Sequence, residues 1–315
     1  RISSKITNFF NGFSMNIRQT LFYVLFSTLF SLCIGCSKPE VTTFREAKNG
    51  KFYGGTYRIN MVRGNPNGLD PVIINSKLAD DLALQIYDRL ISFDSNLNVI
   101  PELAKSWEIS PDGKLYTFHL RSDVFFHDNP CFSNNKGRKM IARDVQYSLT
   151  RCCNPDTRSV HFWAFKDKVV GASEYYQFRL LQLSEQRNLA KLIPIDSLSG
   201  IRAVNDSTLQ IELVRPYSPF LLILANSLGC VVPHEAVEKY GKDFFQNPVG
   251  TGPYIFEKWE HDRQMTMHRN SKYWQQDNAG NQLPFFDNIF VSFIKDDKIQ
   301  LQEFSKGNLD ECFTI

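Results

Sequence analysis

Few residues in this chain have the types and spacing that catalysis or metal binding requires. His234-Glu235-Ala236-Val237-Glu238 approaches a zinc-protease helix, but that site needs a second histidine four residues after the first, where Glu238 stands. The nucleophilic serine turn G-x-S-x-G is missing. The Cys152-Cys153 pair lacks the two-residue spacer of redox and zinc motifs. We therefore expect no enzyme, no metal site and no cofactor.

A glycine-rich loop is the strongest candidate for ligand binding. The segment 247–259 reads N-P-V-G-T-G-P-Y-I-F-E-K-W, in which Gly250 and Gly252 flank Thr251 and Tyr254 opens an alternating strand pattern. Glycine lets another group approach the backbone closely, so the loop is predicted to line a cleft and bind a ligand through its main chain. A phosphate cradle would need a helix after the loop, where a strand is predicted. An ordinary tight turn remains the alternative.

A second candidate precedes the L-D-P sequence at 69–71. Asn65, Pro66 and Asn67 lie in a stretch dense in turn-forming residues, and the two asparagine side chains can add hydrogen bonds to a ligand. Because turn chemistry alone also explains these residues, a plain surface turn is the competing interpretation.

The elements that must carry these loops alternate between strands and helices, which indicates a mixed α/β fold. Ser76 is a predicted N-cap, followed by leucines and isoleucine at helical spacing. Leu103 to Trp107 suits a short helical turn, and Leu115 to Leu120 alternates as a hairpin arm. Further elements are predicted as helices at 142–151, 172–183, 219–226, 234–240 and 298–304, and as strands at 56–62, 209–213, 254–259, 265–268 and 289–293.

The composition is that of a globular protein with enough chain for two domains. Of 315 residues 43% are hydrophobic and 22% charged, and the net charge of +3 with no basic stripe argues against nucleic-acid binding. Phenylalanine occurs 26 times, which suits large cores or apolar pockets with rigid walls.

The N-terminal region has the pattern of an export signal. The chain starts with Arg1, and Met15 is the predicted natural start, so that residues 1–14 are predicted to be non-native. One basic residue, an apolar run at 21–34 and Gly35-Cys36 follow, and this run is too short for a spanning helix. The boundary resembles the lipobox of bacterial lipoproteins, although Cys33 stands where leucine is commonest. We predict a signal peptide at 15–35, acylation of Cys36 and a polar linker at 36–53.

The remaining cysteines leave their redox state open. In an exported protein Cys131 can form a disulfide with Cys152 or Cys153. Buried reduced thiols are the equal alternative, because free cysteine packs as a small hydrophobe.

Several spaced motifs occur in an order that resembles the oligopeptide- and dipeptide-binding proteins of bacterial ABC importers, solute-binding family 5. They read G-G-T-Y-R-I, L-D-P, P-E-L-A-K-S-W-E-I-S-P-D-G-K-L-Y-T-F-H-L-R, A-R-D-V-Q-Y-S-L, N-P-V-G-T-G-P-Y and R-N-S-K-Y-W. The resemblance implies an α/β fold of the type II periplasmic-binding-protein class, a clamshell present here mostly as one lobe.

The same resemblance implies a domain division. The first lobe is expected at 54–72 and 201–295, an α+β subdomain inserted at 73–200, and the start of a truncated second lobe at 296–315. The family uses positions at Asn65 to Asn67 and at Gly250 to Gly252 near its cleft, so these residues and Tyr254 are the predicted ligand contacts.

The function implied is capture of a peptide or another small polar solute. The expected partners are a membrane permease and its ATPase subunits, with the protein periplasmic and held at the membrane by its lipid. Two alternatives stay open: an exported peptide sensor or chaperone-like protein without a transport partner, and an exported hydrolase, which the missing catalytic residues disfavour.

Overall fold

The computed structural model describes residues 43–61, 66–184 and 198–312. The helices of this part are α1 (Lys77–Ile86), α2 (Ala142–Arg151), α3 (Ala172–Leu183), α4 (Phe220–Leu224), α5 (His234–Tyr240) and α6 (Asp297–Ser305). The strands are β1 (Arg45–Glu46), β2 (Phe52–Tyr53), β3 (Thr56–Asn60), β4 (Ile91–Phe93), β5 (Val99–Pro101), β6 (Ala104–Ile109), β7 (Leu115–Leu120), β8 (Ile201–Asn205), β9 (Thr208–Glu212), β10 (Tyr254–Glu260), β11 (Gln264–Arg269) and β12 (Asn288–Ser292).

One four-stranded sheet has the order β10-β11-β12-β3. The hairpin β10–β11 and the pair β11–β12 are antiparallel, whereas β12 and β3 run parallel. Tyr57 in β3 lies opposite Ile289 in β12. The strand with Tyr57 and the strand that begins at Tyr254 therefore belong to one sheet.

A second four-stranded sheet is antiparallel throughout, in the order β6-β7-β9-β8. Its two hairpins join where β7 pairs with β9, with Phe118 opposite Leu209. Residues 201–212 thus share a sheet with residues 104–120, although the family resemblance implies a domain boundary at 201. The domain division remains a prediction, and both sheets belong to one compact unit, 44–315.

The helix α1 forms where its sequence predicts it. Ser76 caps the helix, because its Oγ accepts a hydrogen bond from the Ala79 amide at 3.3 Å. The buried stripe of Ala79, Leu82, Ala83 and Ile86 packs into the core. Burial of this stripe supplies most of the helix's stability, because an isolated ten-residue helix is marginal in water.

The predicted helical turn from Leu103 to Trp107 is wrong. Residues 104–109 form β6, in which Trp107 lies opposite Phe118 of β7. Pairing with β7 satisfies the backbone groups of this segment, and this tertiary contact overrides the weak local preference.

Two observations bear on export and redox state. None of the helices in the described ranges is long and apolar enough to span a membrane, and the predicted signal peptide and Cys36 lie outside those ranges. Cys131, Cys152 and Cys153 are free thiols, so the structure contains the reduced alternative and not the bridge.

Candidate ligand-binding site

A buried ion pair fixes the segment that leads into helix α1. The guanidinium of Arg151 donates two hydrogen bonds to the Asp70 carboxylate, at 2.9 and 2.6 Å, and both residues are buried. Asp70 Oδ1 also accepts a hydrogen bond from the Val72 amide at 3.3 Å, at the start of the 3-10 turn Pro71–Ile73. Two-pronged pairs of this kind fix orientation as well as adding energy. The chain from Asp70 to α1 therefore has a set direction.

Beside this segment lies a cavity of about 620 Å³. Its walls come from three separate stretches of the chain, 74–80, 161–163 and 217–228. This volume lies within the usual range for small-molecule sites, about 300–1,000 Å³.

Part of the cavity lining is polar. It comes from the entry to α1, with Asn75, Ser76, Lys77 and Asp80, and from Ser227. The first amides of a helix have no partner within the helix; that of Ala79 donates to Ser76 Oγ at 3.3 Å, so those of Lys77 and Leu78 are the candidates to donate to a ligand. Lys77 Nζ pairs with Asp81 on the next turn, and this hydrogen bond raises the pKa of Lys77.

Another part of the cavity lining is apolar and aromatic. Trp163, Tyr217, Leu222 and Ile223 contribute to it. His161 completes this side: its Nε2 lies 3.1 Å from the Pro71 carbonyl, to which it donates, and burial lowers the pKa of its imidazole. A neutral His161 therefore adds no charge near pH 7.

The predicted ligand contacts lie elsewhere in the described part of the chain. Asn65 falls outside the described residues, Pro66 is buried and Asn67 is exposed. Gly250, Thr251, Gly252 and Tyr254 are all buried. None of these described residues lines the cavity, and ligand contact by them stays a prediction.

The glycines of the 250–252 loop have a packing role. A Cβ on Gly250 would lie 2.1 Å from the Ile86 carbonyl oxygen, and one on Gly252 would lie 2.6 Å from the Ile86 carbonyl carbon. The Gly252 amide donates to that same Ile86 oxygen at 2.9 Å. The loop therefore seals the C-terminal end of α1, where no side chain would fit.

Thr251 holds a buried carboxylate. Its Oγ1 donates to Asp88 Oδ2 at 2.8 Å, the Tyr273 hydroxyl donates to Oδ1 at 2.9 Å, and Trp274 Nε1 donates to Oδ2 at 3.0 Å. Burial raises the pKa of Asp88. The three donors compensate for the lost hydration and tie the loop to the R-N-S-K-Y-W motif.

The cavity residues are the ones that sequence reasoning missed. A usable signal existed for one part of the lining only: Ser76, a predicted N-cap, comes soon after L-D-P, so the start of α1 was foreseeable. Nothing in the sequence pattern joins that start to 161–163 or 217–228, which lie far along the chain.

The described residues hold no group of three or more histidine, cysteine or acidic side chains that could bind a metal ion. His234, from the near-match to a zinc helix, contacts Glu235 and Arg138. The site can thus offer hydrogen bonds and apolar contact to a ligand.

Residues 98–314 match the family described as bacterial extracellular solute-binding proteins, family 5 Middle. The chain belongs to this family. The family and the named relatives are binding proteins, so the expectation of a protein that is not an enzyme is confirmed at the family level.

Curated relatives include the dipeptide-binding protein of Escherichia coli K12, 32% identical over 257 residues that cover 79% of this chain and 42% of the relative. The glutathione-binding protein GsiB of Pectobacterium atrosepticum is 32% identical over 247 residues, 78% of this chain and 40% of the relative. The chain thus spans about two fifths of the length of these relatives.

Solved structures share the fold. The periplasmic binding protein DppA of Helicobacter pylori, in complex with the peptide STSA, has a TM-score of 0.65 at 23% identity, over 82% of this chain and 46% of that one. Peptide-bound OppA of Listeria monocytogenes has a TM-score of 0.66 at 20% identity, over 81% and 45%. The predicted fold class, mixed α/β of the type II periplasmic-binding-protein kind, is confirmed.

Proposed function

We propose that the protein is a solute-binding lipoprotein of an ABC importer, which captures dipeptides or oligopeptides and delivers them to a membrane permease driven by ATPase subunits. Membership of solute-binding family 5 supports this proposal. Two relatives, the dipeptide-binding protein of Escherichia coli K12 and the peptide transport periplasmic protein SapA of Salmonella typhimurium, point to the same class of ligand.

The cavity beside the start of α1 is the observation that carries the proposal. A peptide presents main-chain donors and acceptors together with side chains of varied polarity. The polar lining residues Asn75, Ser76 and Ser227 suit the main chain of a peptide. Trp163 and Leu222, which line the same cavity, suit one of its apolar side chains. The predicted contacts at Asn65 to Asn67, at Gly250 to Gly252 and at Tyr254 stay part of the proposal as a second surface.

Calorimetric titration of the full-length protein with dipeptides tests this function. We expect saturable binding, and mass spectrometry of the recovered ligand should return the peptide uncleaved. Asn75→Ala removes an amide from the cavity lining and should weaken binding, whereas Asn96→Ala, at an exposed asparagine between β4 and β5, should not. A protein that binds no dipeptide, or returns it hydrolysed, is not the proposed carrier.

The transport step needs its own test. Cells that depend on a dipeptide for an essential amino acid should stop growing when the gene is deleted and recover when it is restored. A protein that binds dipeptides without supporting growth would instead be the sensor or chaperone-like alternative.

Lipid attachment at Cys36 belongs to the proposal as well. Since one acyl chain anchors a protein only marginally, several acyl groups are expected on the mature N-terminus at the periplasmic face of the membrane. Radioactive fatty acid should label the wild type and not Cys36→Ala. Cys131→Ala, at a cysteine outside the predicted signal and linker, is the matched control and should keep the label. Equal labelling of Cys36→Ala and the wild type contradicts the anchor.

A further inference from the structure

Two large apolar side chains on the cavity wall are exposed. Trp163 is 56% exposed and Leu222 is 46% exposed, and both line the cavity. Neither is among the partly buried side chains that pack against the hydrophobic core, unlike their neighbours Phe162 and Leu221. Exposed apolar groups that line a concave site together with polar groups mark a place where an apolar ligand group is taken up.

The backbone that presents these side chains is well held. Phe162 stacks on Tyr176 with ring centroids 4.0 Å apart, and the next residue but one, Ala164, is fully buried. Lys168 Nζ donates to the Trp163 carbonyl at 2.8 Å. On the other side, Phe220 and Leu224 of α4 are buried and fix the turn of helix that carries Leu222. An apolar ligand group therefore meets surfaces that are already in place, which lowers the ordering cost of binding.

The polar part of the cavity lining carries no uncompensated charge. Lys77 has two acidic neighbours, Asp80 at 3.9 Å and Asp81, so its positive charge is compensated within helix α1. Ser227 is 5% exposed, lines the cavity, and adds an uncharged hydroxyl. This part of the lining therefore suits the main chain of a peptide. It offers no unpaired positive charge to an acidic side chain of the peptide.

We propose that the cavity selects peptides by one large apolar or aromatic side chain, which lies between Trp163 and Leu222 while the main chain faces the start of α1. This inference rests on the proposed function and deepens it, because it names the preferred class of peptide. Burial of a leucine- or phenylalanine-sized group changes a binding constant by roughly 10- to 100-fold. Peptides with such a side chain should bind more tightly than alanine or aspartate peptides by about that factor.

The test is calorimetry on the full-length protein with alanine dipeptides that carry phenylalanine, leucine, alanine or aspartate at either position. Phenylalanine and leucine should each favour one of the two positions. At that position, their peptides should bind to the wild type at least about 10-fold more tightly than Ala-Ala, and Ala-Asp should bind most weakly. Trp163→Ala and Leu222→Ala should weaken binding of the phenylalanine and leucine peptides far more than binding of Ala-Ala, and so remove most of this preference. Trp163→Phe should retain the preference, which separates loss of the apolar wall from loss of folding.

Leu183→Ala is the matched control, because Leu183 is a leucine of similar exposure, 50%, that does not line the cavity. It should bind every dipeptide as the wild type does. If the wild type binds all of these dipeptides with affinities within threefold of one another, the inference is wrong and the proposed function still stands. An equal loss for Ala-Phe and Ala-Ala in Trp163→Ala also overturns it, since the wall then acts on all ligands alike. If the wild type binds no dipeptide, both the inference and the proposed function are wrong.

Discussion

Arg151 and Asp70 form a buried, two-pronged ion pair that joins the last residue of α2 to the approach of the cavity wall. Nη1 lies 2.9 Å from Oδ1 and Nη2 lies 2.6 Å from Oδ2. The ring of Phe244 lies 5.5 Å from the guanidinium carbon and covers it. Four residues after Asp70 the chain begins to line the cavity. The position of this part of the cavity lining therefore depends on the ion pair.

Asp70→Ala should destabilise the protein by about 3–5 kcal/mol, because it leaves the Arg151 charge buried without its partner. Urea unfolding followed by circular dichroism measures this loss. The control is Asp123→Ala, which removes the carboxylate of another two-pronged pair, with Arg121, at an exposed position. That pair should contribute less than about 1 kcal/mol. Similar losses in the two variants would contradict the importance of burial.

Gly250→Ala should destabilise the protein by about 1–3 kcal/mol or prevent folding, since its methyl group would overlap the Ile86 carbonyl oxygen. The midpoint of thermal unfolding reports the change. Gly307→Asn is the comparison: nothing lies within 4 Å of a Cβ there, and asparagine tolerates the positive φ of 76°. A Gly250→Ala protein with wild-type stability would show that the end of α1 and the loop are less closely packed than the structure has them.

Thr251→Val should cost about 1–3 kcal/mol, because Asp88 Oδ2 then loses one of its two donors inside the core. Chemical denaturation at pH 7 measures it. The matched substitution Thr266→Val, at a partly buried position of β11, should change stability by no more than about 0.5 kcal/mol. If both substitutions are equally mild, the Asp88 carboxylate does not depend on Thr251.

His127 should make stability depend on pH. Its Nε2 donates to the Gly252 carbonyl at 2.9 Å, while Nδ1 is buried and has no partner in the described residues. Burial lowers the pKa of His127 from 6.5 to about 4. Between those values the unfolded chain binds a proton that the folded chain does not. The free energy of unfolding therefore falls as the pH drops from about 6.5 to 4, by about 3 kcal/mol from this group.

His127→Gln keeps a donor for Gly252 and removes the titration, so the stability difference from the wild type should shrink by about that amount between pH 7 and pH 4. His119→Gln, at a partly exposed position, controls for the loss of any histidine. The pKa of His127 can be read directly by NMR titration. A value near 6.5, or a stability difference that does not change with pH, would refute the prediction.

Local sequence signals were sufficient for most secondary structure. The helices at 142–151, 172–183 and 234–240 have the bounds that their apolar spacing and turn residues predict. These signals act between residues three or four positions apart, so they need no knowledge of the rest of the chain. The motif order was sufficient for the family and the fold class, which the matched residues 98–314 confirm.

Where an element's partner lies far along the chain, local signals were insufficient. Leu103 to Trp107 reads as a helical turn, yet 104–109 becomes a strand because β7 pairs with it. Gly250 and Gly252 read as a surface for a ligand, yet their missing side chains make room for the Ile86 carbonyl. A glycine shows only that something must come close; the fold decides what does.

The cavity was decided by tertiary structure alone. Its walls at 74–80, 161–163 and 217–228 are brought together by contacts between distant residues, among them the Arg151–Asp70 pair and the hydrogen bond from the Val160 amide to the Val72 carbonyl. The sequence determined the start of α1 because Ser76 and the apolar stripe after it act locally. Which side chains face that start across the cavity depends on long-range packing, which leaves no periodic signal along the chain.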